Sequence, residues 1–167
     1  MPNEPRPGNQ PMTSPRIYLE STIPSYLVAR PSRDIVLRGQ QEATRRWWER
    51  ERKNGNWYVS EFVEIEVSCG DPLAARERMA VLTGIPRLLA NEQVLALADA
   101  VFATGCFPEK ARTDAAHIAV AALHGMDVLL TWNCTHIHNL AIIRRVEAVC
   151  ARAGYSCPII ASPLELL

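Results

Sequence analysis

Residues 112–133, RTDAAHIAVAALHGMDVLLTWN, predict a buried helix followed by a buried strand. The helical part is apolar on every face from position 115 to 123, with Thr113 as a candidate N-cap and Gly125 at its end. A helix without a polar face has to be covered on all sides. The run Val-Leu-Leu at 128–130 is typical of a central parallel strand covered on both faces.

Two polar residues stand at the ends of this apolar unit. Asp114 falls in the first turn of the helix, and Asn133 follows the strand. A carboxylate near a helix N-terminus is stabilised by the helix dipole, and the outlet of a parallel strand is where α/β folds bind ligands. We interpret the pair as one half of a functional site.

The bulk composition favours one cytoplasmic domain. The chain has 167 residues, of which 48% are hydrophobic and 22% are charged. Apolar runs fall short of the roughly 18 residues of a membrane span, so no membrane association is expected. We predict a single domain over 16–167, preceded by a disordered N-terminal tail over 1–15 that is rich in proline.

Charge and cysteine content restrict the function classes. Lys plus Arg and Asp plus Glu are both 18, so the chain has no net positive charge that would favour binding to nucleic acid. The arginines that crowd positions 30–53 alternate with glutamates, and they are equally consistent with a solvated helix face. Five cysteines without a C-x-x-C pair indicate reduced thiols in a reducing compartment.

The remaining chain alternates short strands with helices. Strands are expected at 16–19, 57–59, 85–89, 128–130 and 158–160, and helices at 24–28, 35–53, after Ser60, from Pro72, after Asn91 and at 137–152. Asp71, followed by proline, and Asn91 are the expected N-caps of two of these helices. This alternation predicts an α/β sandwich on a mainly parallel sheet with right-handed connections.

Two further acids complete the candidate site. Glu20 follows the first strand directly. On the helix after Ser60, helical spacing surrounds Glu66 with Phe62, Val63, Cys69 and Gly70, which predicts that Glu66 points inward and Glu64 does not. The alternative is a glutamate at the edge of that face that pairs with an arginine.

Three carboxylates in costly positions predict a cation. Burying Glu20, Glu66 and Asp114 together is unfavourable through desolvation and mutual repulsion, and a bound ion offsets both. Oxygen ligands alone favour a hard ion, so Mg²⁺ or Mn²⁺ is expected.

Five short motifs, in order along the chain, resemble PIN-domain ribonucleases, especially VapC-type toxins. They are the segment 18–22, Ser60 with Glu66, the pair at 70–71, the Asp-Ala-Ala-His segment at 114–117, and Thr-Trp-Asn at 131–133 with His136 and Asn139. The resemblance runs from about 16 to 167. It implies a three-layer α/β/α sandwich, an acidic Mg²⁺ site, endonucleolytic cleavage of RNA, a homodimer and a cognate antitoxin.

The resemblance also assigns roles to individual residues. The family's metal-binding acids fall on Glu20, Glu66 and Asp114, and its fourth acid falls on Asn133, which has no charge. Glu20 is one methylene longer than the aspartate usual at the first position. The implied reaction is metal-assisted hydrolysis, in which Asn133 or His136 orients water or contacts RNA. Ser21 and His117 would support the ligands or contact substrate, although for His117 we favour a core histidine bonded to a carbonyl.

Three other readings stay open. Alternating Cys134, His136 and His138 would chelate Zn²⁺ if extended, although no second ligand pair has structural-zinc spacing. A phospho-receiver would need an aspartyl acceptor in place of Glu20. The main rival is a catalytically weakened PIN-like domain that binds RNA or an antitoxin, which Asn133 and the neutral net charge both favour.

Overall fold

The computed structural model describes residues 14–53 and 55–167. The expected N-terminal tail therefore lies outside the described residues except for positions 14 and 15. The strands are β1 (Arg16–Leu19), β2 (Asn56–Ser60), β3 (Arg87–Leu88), β4 (Val128–Leu130) and β5 (Ile159–Ala161). The helices are α1 (Thr22–Val28), α2 (Ile35–Glu51), α3 (Glu61–Val67), α4 (Pro72–Val81), α5 (Glu92–Phe102), α6 (Arg112–Leu123) and α7 (Leu140–Arg152).

The five strands form one parallel sheet in the order β3-β2-β1-β4-β5. α1 packs on α2 and α4, while α5 packs on α6 and α7, so helices cover the sheet in two groups. The α/β class and the predicted three-layer arrangement are confirmed, and the sheet is wholly parallel. The strand order reverses between β1 and β4, which makes their carboxyl ends the switch point where such sheets bind ligands.

Local sequence signals explain most element boundaries. Asp71 caps α4 and is followed by Pro72, and Asn91 caps α5 by accepting a hydrogen bond from the Val94 N–H at 2.9 Å. The N-cap predicted at Thr113 is wrong, because a 3-10 turn (Glu109–Ala111) runs directly into α6 and the N-cap residue is Ala111. Asp114 nevertheless lies in the first turn of α6, as expected.

The core covers both faces of the sheet. α6 is buried along positions 115–122, and all three residues of β4 are buried, as the opening stretch predicted. Trp47 of α2 is 1% exposed and packs against Trp57, which also stacks on Trp48 at a ring distance of 4.2 Å. Trp47 is therefore a core residue, and the partly buried Trp48 packs against the core.

All five cysteines are free thiols, and two of them, Cys69 and Cys134, are exposed. Among the described residues, no helix combines the length and apolarity needed to cross a membrane.

Candidate metal centre

Glu20 is a buried carboxylate at the switch point of the sheet. Leu19 pairs with Leu130 across β1 and β4, so Glu20 and Thr131 leave the sheet side by side. The Glu20 side chain accepts four hydrogen bonds: from Ser21 Oγ (2.7 Å) at Oε1, and from Thr22 N (3.1 Å), Thr22 Oγ1 (2.6 Å) and Thr131 Oγ1 (2.7 Å) at Oε2. These donors replace the water that burial removes from the carboxylate.

The two oxygens of Glu20 therefore differ. Oε2 has three donors, whereas Oε1 has one, from the rotatable Ser21 hydroxyl. Ser21 also lies near the Glu66 carboxylate and lowers the pKa of that group. A single hydroxyl hydrogen cannot serve both acids at once. Oε1 is thus the Glu20 atom best able to accept a cation.

Glu66 extends from α3 toward the carboxylate of Glu20. Its Oε2 lies 3.0 Å from His117 Nε2, while Glu64 pairs with Arg87 at 3.0 Å. The Glu66 and Glu64 side chains are 32% and 31% exposed, so their partners, rather than burial, separate them. The expected apolar surroundings of Glu66 are wrong at Cys69 and Gly70, which are exposed because α3 already ends at Val67.

His117 is fully buried and joins Glu66 to the core. Its Nδ1 lies 2.7 Å from the hydroxyl of Tyr18, which in turn lies 2.7 Å from Ser60 Oγ. Tyr18, Ser60 and His117 are each 0% exposed. His117 is thus a core residue that also contacts the site, and its partners are a hydroxyl and a carboxylate instead of the backbone carbonyl considered above.

Glu66 and His117 each stabilise the charged form of the other. Burial alone would raise the pKa of Glu66, but the hydrogen bond and charge of His117, with Ser21, bring that pKa below its ordinary value. Burial alone would lower the pKa of His117, but Glu66 and the charges of Glu20 and Asp114 raise it. Burial also raises the pKa of Tyr18, and the nearby glutamates add to that rise, so its hydroxyl stays protonated.

Asp114 adds a third carboxylate and has an amide partner. Burial raises its pKa, opposed by a hydrogen bond from Asn133 and by the charges of His117 and His136, while Glu20 raises it further. Asn133 Oδ1 accepts from the His136 backbone N–H at 3.0 Å, so the side-chain N–H₂ is the group of Asn133 that can donate to Asp114. In this arrangement the amide N–H₂ of Asn133 orients Asp114, and the amide oxygen of Asn133 stabilises the turn to His136.

An aromatic pair flanks the acids. The Tyr26 and Trp132 rings are nearly parallel, at 18° and a centroid distance of 6.3 Å. Trp132 is tied to the Glu20 cluster, because its backbone N–H donates to Thr22 Oγ1 at 2.9 Å. Burial, followed by the charge of Glu20, raises the pKa of Tyr26, which remains partly exposed.

The donors fit a hard divalent cation. Glu20, Glu66 and His117 each offer one ligand atom within 4.8 Å of the others, and Asp114 lies outside that group although its carboxyl senses the charges of Glu20 and His117. Carboxylate oxygens are ligands that Mg²⁺ and Mn²⁺ favour. Cys134, His136 and His138 form no such group among residues 14–53 and 55–167, so the zinc alternative has no support.

Comparison of the chain with protein-family models, curated proteins and solved structures finds no match.

Four residues of the centre had no assigned role in the sequence analysis. Thr22 and Thr131 hold Glu20, while Tyr18 and Ser60 hold His117. Thr131 could be found only from the pairing of β1 with β4, which depends on strand order. Tyr18 had a local signal, since alternation along a strand places it on the same face as Glu20.

Proposed function

We propose that the protein is a metal-dependent endoribonuclease of the PIN-domain type. The observation that carries this proposal is the meeting of Glu20 and Glu66 at the switch point of a parallel sheet, with Asp114 in the adjacent helix turn. Carboxylates gathered at a partly buried point are costly without a cation. The order of the motifs along the chain supports the same family.

Each acid has a residue that fixes it. Thr22 and Thr131 hold Glu20, His117 holds Glu66, and Asn133 holds Asp114. Glu20, Glu66 and Asp114 would bind Mg²⁺ or Mn²⁺, which supplies Lewis acidity toward a phosphate oxygen and toward water. We assign to His136, whose ring is half-buried beside Asp114, a contact with the substrate phosphate.

The aromatic pair supports a single-stranded substrate. Proteins that bind unpaired nucleic acid stack its bases on aromatic side chains, and Tyr26 offers a partly exposed ring beside the acids. This contact needs no overall positive charge, which suits a chain with formal net charge zero. Under this proposal the substrate is an exposed RNA strand, and the protein acts in the cytoplasm.

The experiment compares three conservative variants. Purified protein should cleave single-stranded RNA with Mg²⁺ or Mn²⁺ and stop in EDTA, whereas Glu66→Gln and Asp114→Asn should lose cleavage while circular dichroism shows an intact fold. Glu64→Gln is the matched control, because Glu64 lies on the same helix but pairs with Arg87. Cleavage that persists in EDTA, or acid variants as active as wild type, would overturn the proposal.

A binding module is the second candidate. It is favoured by the uncharged Asn133 and by Glu20, whose four hydrogen bonds satisfy its carboxylate without a metal. RNA binding by the metal-loaded protein, without cleavage of any strand tested, would select this function over the nuclease.

The proposal extends to two protein partners that the resemblance implies, a second copy of this chain and a cognate antitoxin. Exposed apolar side chains support a protein contact on the face of α2, where Ile35 is 84% and Val36 67% exposed. They border a groove of about 380 Å³ that reaches Trp132 and Leu164. Light scattering of the purified protein tests the dimer, and co-purification with the protein encoded beside it tests the antitoxin.

A further inference from the structure

A buried chain of hydrogen bonds leads from the core to the metal centre. It connects Ser60 Oγ to the Tyr18 hydroxyl (2.7 Å), that hydroxyl to His117 Nδ1 (2.7 Å), and His117 Nε2 to Glu66 Oε2 (3.0 Å). Ser60, Tyr18 and His117 have no exposed surface, so each depends on the others and on Glu66, instead of water, for its hydrogen bonds.

Metal binding by Glu66 would determine which atoms of this chain donate hydrogen bonds and which accept them. Glu66 can bind a cation only as a carboxylate, which accepts hydrogen bonds and donates none. His117 Nε2 must therefore carry a hydrogen and donate it to Glu66. In a neutral ring, Nδ1 then accepts from Tyr18; in a doubly protonated ring, Nδ1 donates to Tyr18, which donates to Ser60.

Neither ring nitrogen of His117 is free to bind a metal. Nε2 is occupied by the hydrogen that Glu66 accepts, and Nδ1 faces Tyr18 inside the core. Ligation through Nε2 would break the contact with Glu66 and require the loss of that hydrogen. The closeness of His117 to the two glutamates therefore does not make it a ligand.

We infer that His117 is a positioning residue that orients Glu66 toward the cation, and that the Tyr18 hydroxyl holds the ring in the orientation this requires. The inference rests on the proposed function, because it concerns the metal of that centre. It specifies a donor set of oxygens alone, which suits Mg²⁺ and Mn²⁺ better than Zn²⁺.

Substitutions at His117 separate positioning from ligation. The amide N–H of His117→Gln can still donate to Glu66, whereas His117→Met cannot. We expect His117→Met to weaken Mn²⁺ binding about tenfold or more, and His117→Gln to retain most of the affinity. Equal losses in both variants would overturn the inference. Mn²⁺ binding is measured by electron paramagnetic resonance without RNA, so this result does not depend on whether the protein cleaves.

Tyr18→Phe tests the role of the hydroxyl. We expect it to lower Mn²⁺ affinity while thermal unfolding shows a folded protein, and Tyr58→Phe is the matched control because Tyr58 pairs with Tyr18 in the sheet register. Unchanged Mn²⁺ affinity in folded Tyr18→Phe would contradict the role of Tyr18.

A measurement on the unmodified protein avoids any folding defect. Imidazole ¹⁵N spectra should show a hydrogen on Nε2 of His117 both without metal and with saturating Mg²⁺. Loss of that hydrogen when Mg²⁺ is added would identify His117 as a ligand and refute the inference. If Mg²⁺ and Mn²⁺ do not bind at all, the proposed function fails instead, whatever the state of the ring.

Discussion

The side-chain amide of Asn133, in the loop after β4, faces the carboxylate of Asp114 in the first turn of α6 and opposes the rise in pKa that burial causes there. The amide oxygen is held by the His136 backbone N–H, so the amide has a fixed direction. Because Asn133 is uncharged, it stabilises the carboxylate of Asp114 and adds no further negative charge. Asn133 therefore adds no charge repulsion to the proposed metal centre.

Asn133→Asp should make the thermal stability of the protein depend more strongly on a bound metal ion. The new carboxylate would face Asp114 without a donor between them, and like charges at a partly buried site repel. We expect a lower Tm in EDTA and a larger rise in Tm on adding Mn²⁺ than the wild type shows. Asn91→Asp is the control, because aspartate caps α5 as well as asparagine does. A variant whose response to Mn²⁺ equals that of the wild type would mean that Asn133 does not face the metal.

Asp114→Asn should stabilise the metal-free protein at neutral pH. Burial raises the folded-state pKa of Asp114, so the folded protein holds this proton more tightly than the unfolded chain does. The stability that this proton contributes is present below the unfolded pKa and is lost as pH rises through the folded pKa. We expect a gain in Tm of about 2 °C at neutral pH, small because the site is partly solvated, that vanishes in acid. Thermal unfolding in EDTA across that range measures it, and a gain that grows in acid would reverse the assigned sign.

Thr131→Val should destabilise the fold through Glu20. The substitution keeps the shape of the side chain but removes a donor to Glu20 Oε2 and the acceptor of the Asn133 backbone N–H. Leaving such buried groups unsatisfied costs about 1–3 kcal/mol of unfolding free energy. Urea denaturation measures this loss, with Thr135→Val, in an exposed position of the same loop, as the control. Equal stabilities of the two variants would show that Glu20 does not need this donor.

Tyr26→Leu should raise the KM for a single-stranded RNA about tenfold with little change in kcat, since base stacking contributes about 1–3 kcal/mol per base. Tyr26→Phe keeps the ring and should behave as wild type. Steady-state kinetics on a short unstructured oligonucleotide separate the two constants. If Tyr26→Phe is as impaired as Tyr26→Leu, the hydroxyl matters and the stacking role is wrong.

Structural features that depend on residues close together in the sequence were predictable. Asp71 followed by Pro72, the cap at Asn91 and the fully apolar helix before Gly125 each carry their cause within a few residues, and the structure agrees with all three. Helical spacing predicted Glu66 inward and Glu64 outward, but the exposures of the two side chains are nearly equal, and only their partners, His117 and Arg87, distinguish them.

What depended on distant pairing was not predictable from such signals. The donors to Glu20 include Thr131 because β4 lies beside β1, and nothing near either residue encodes that adjacency. The partners of His117 likewise come from β1 and α3. The N-cap of α6 was misplaced because the turn before it is helical, which no capping residue marks.

The contact between Thr131 and Glu20 joins residues that are 111 positions apart. During synthesis β1 emerges first, yet the strand that completes the surroundings of Glu20 follows only after α6. A nascent chain that stops before β4 has Glu20 without the strand that brings Thr131 to it. The surroundings of Glu20 are therefore complete only once β4 has left the ribosome.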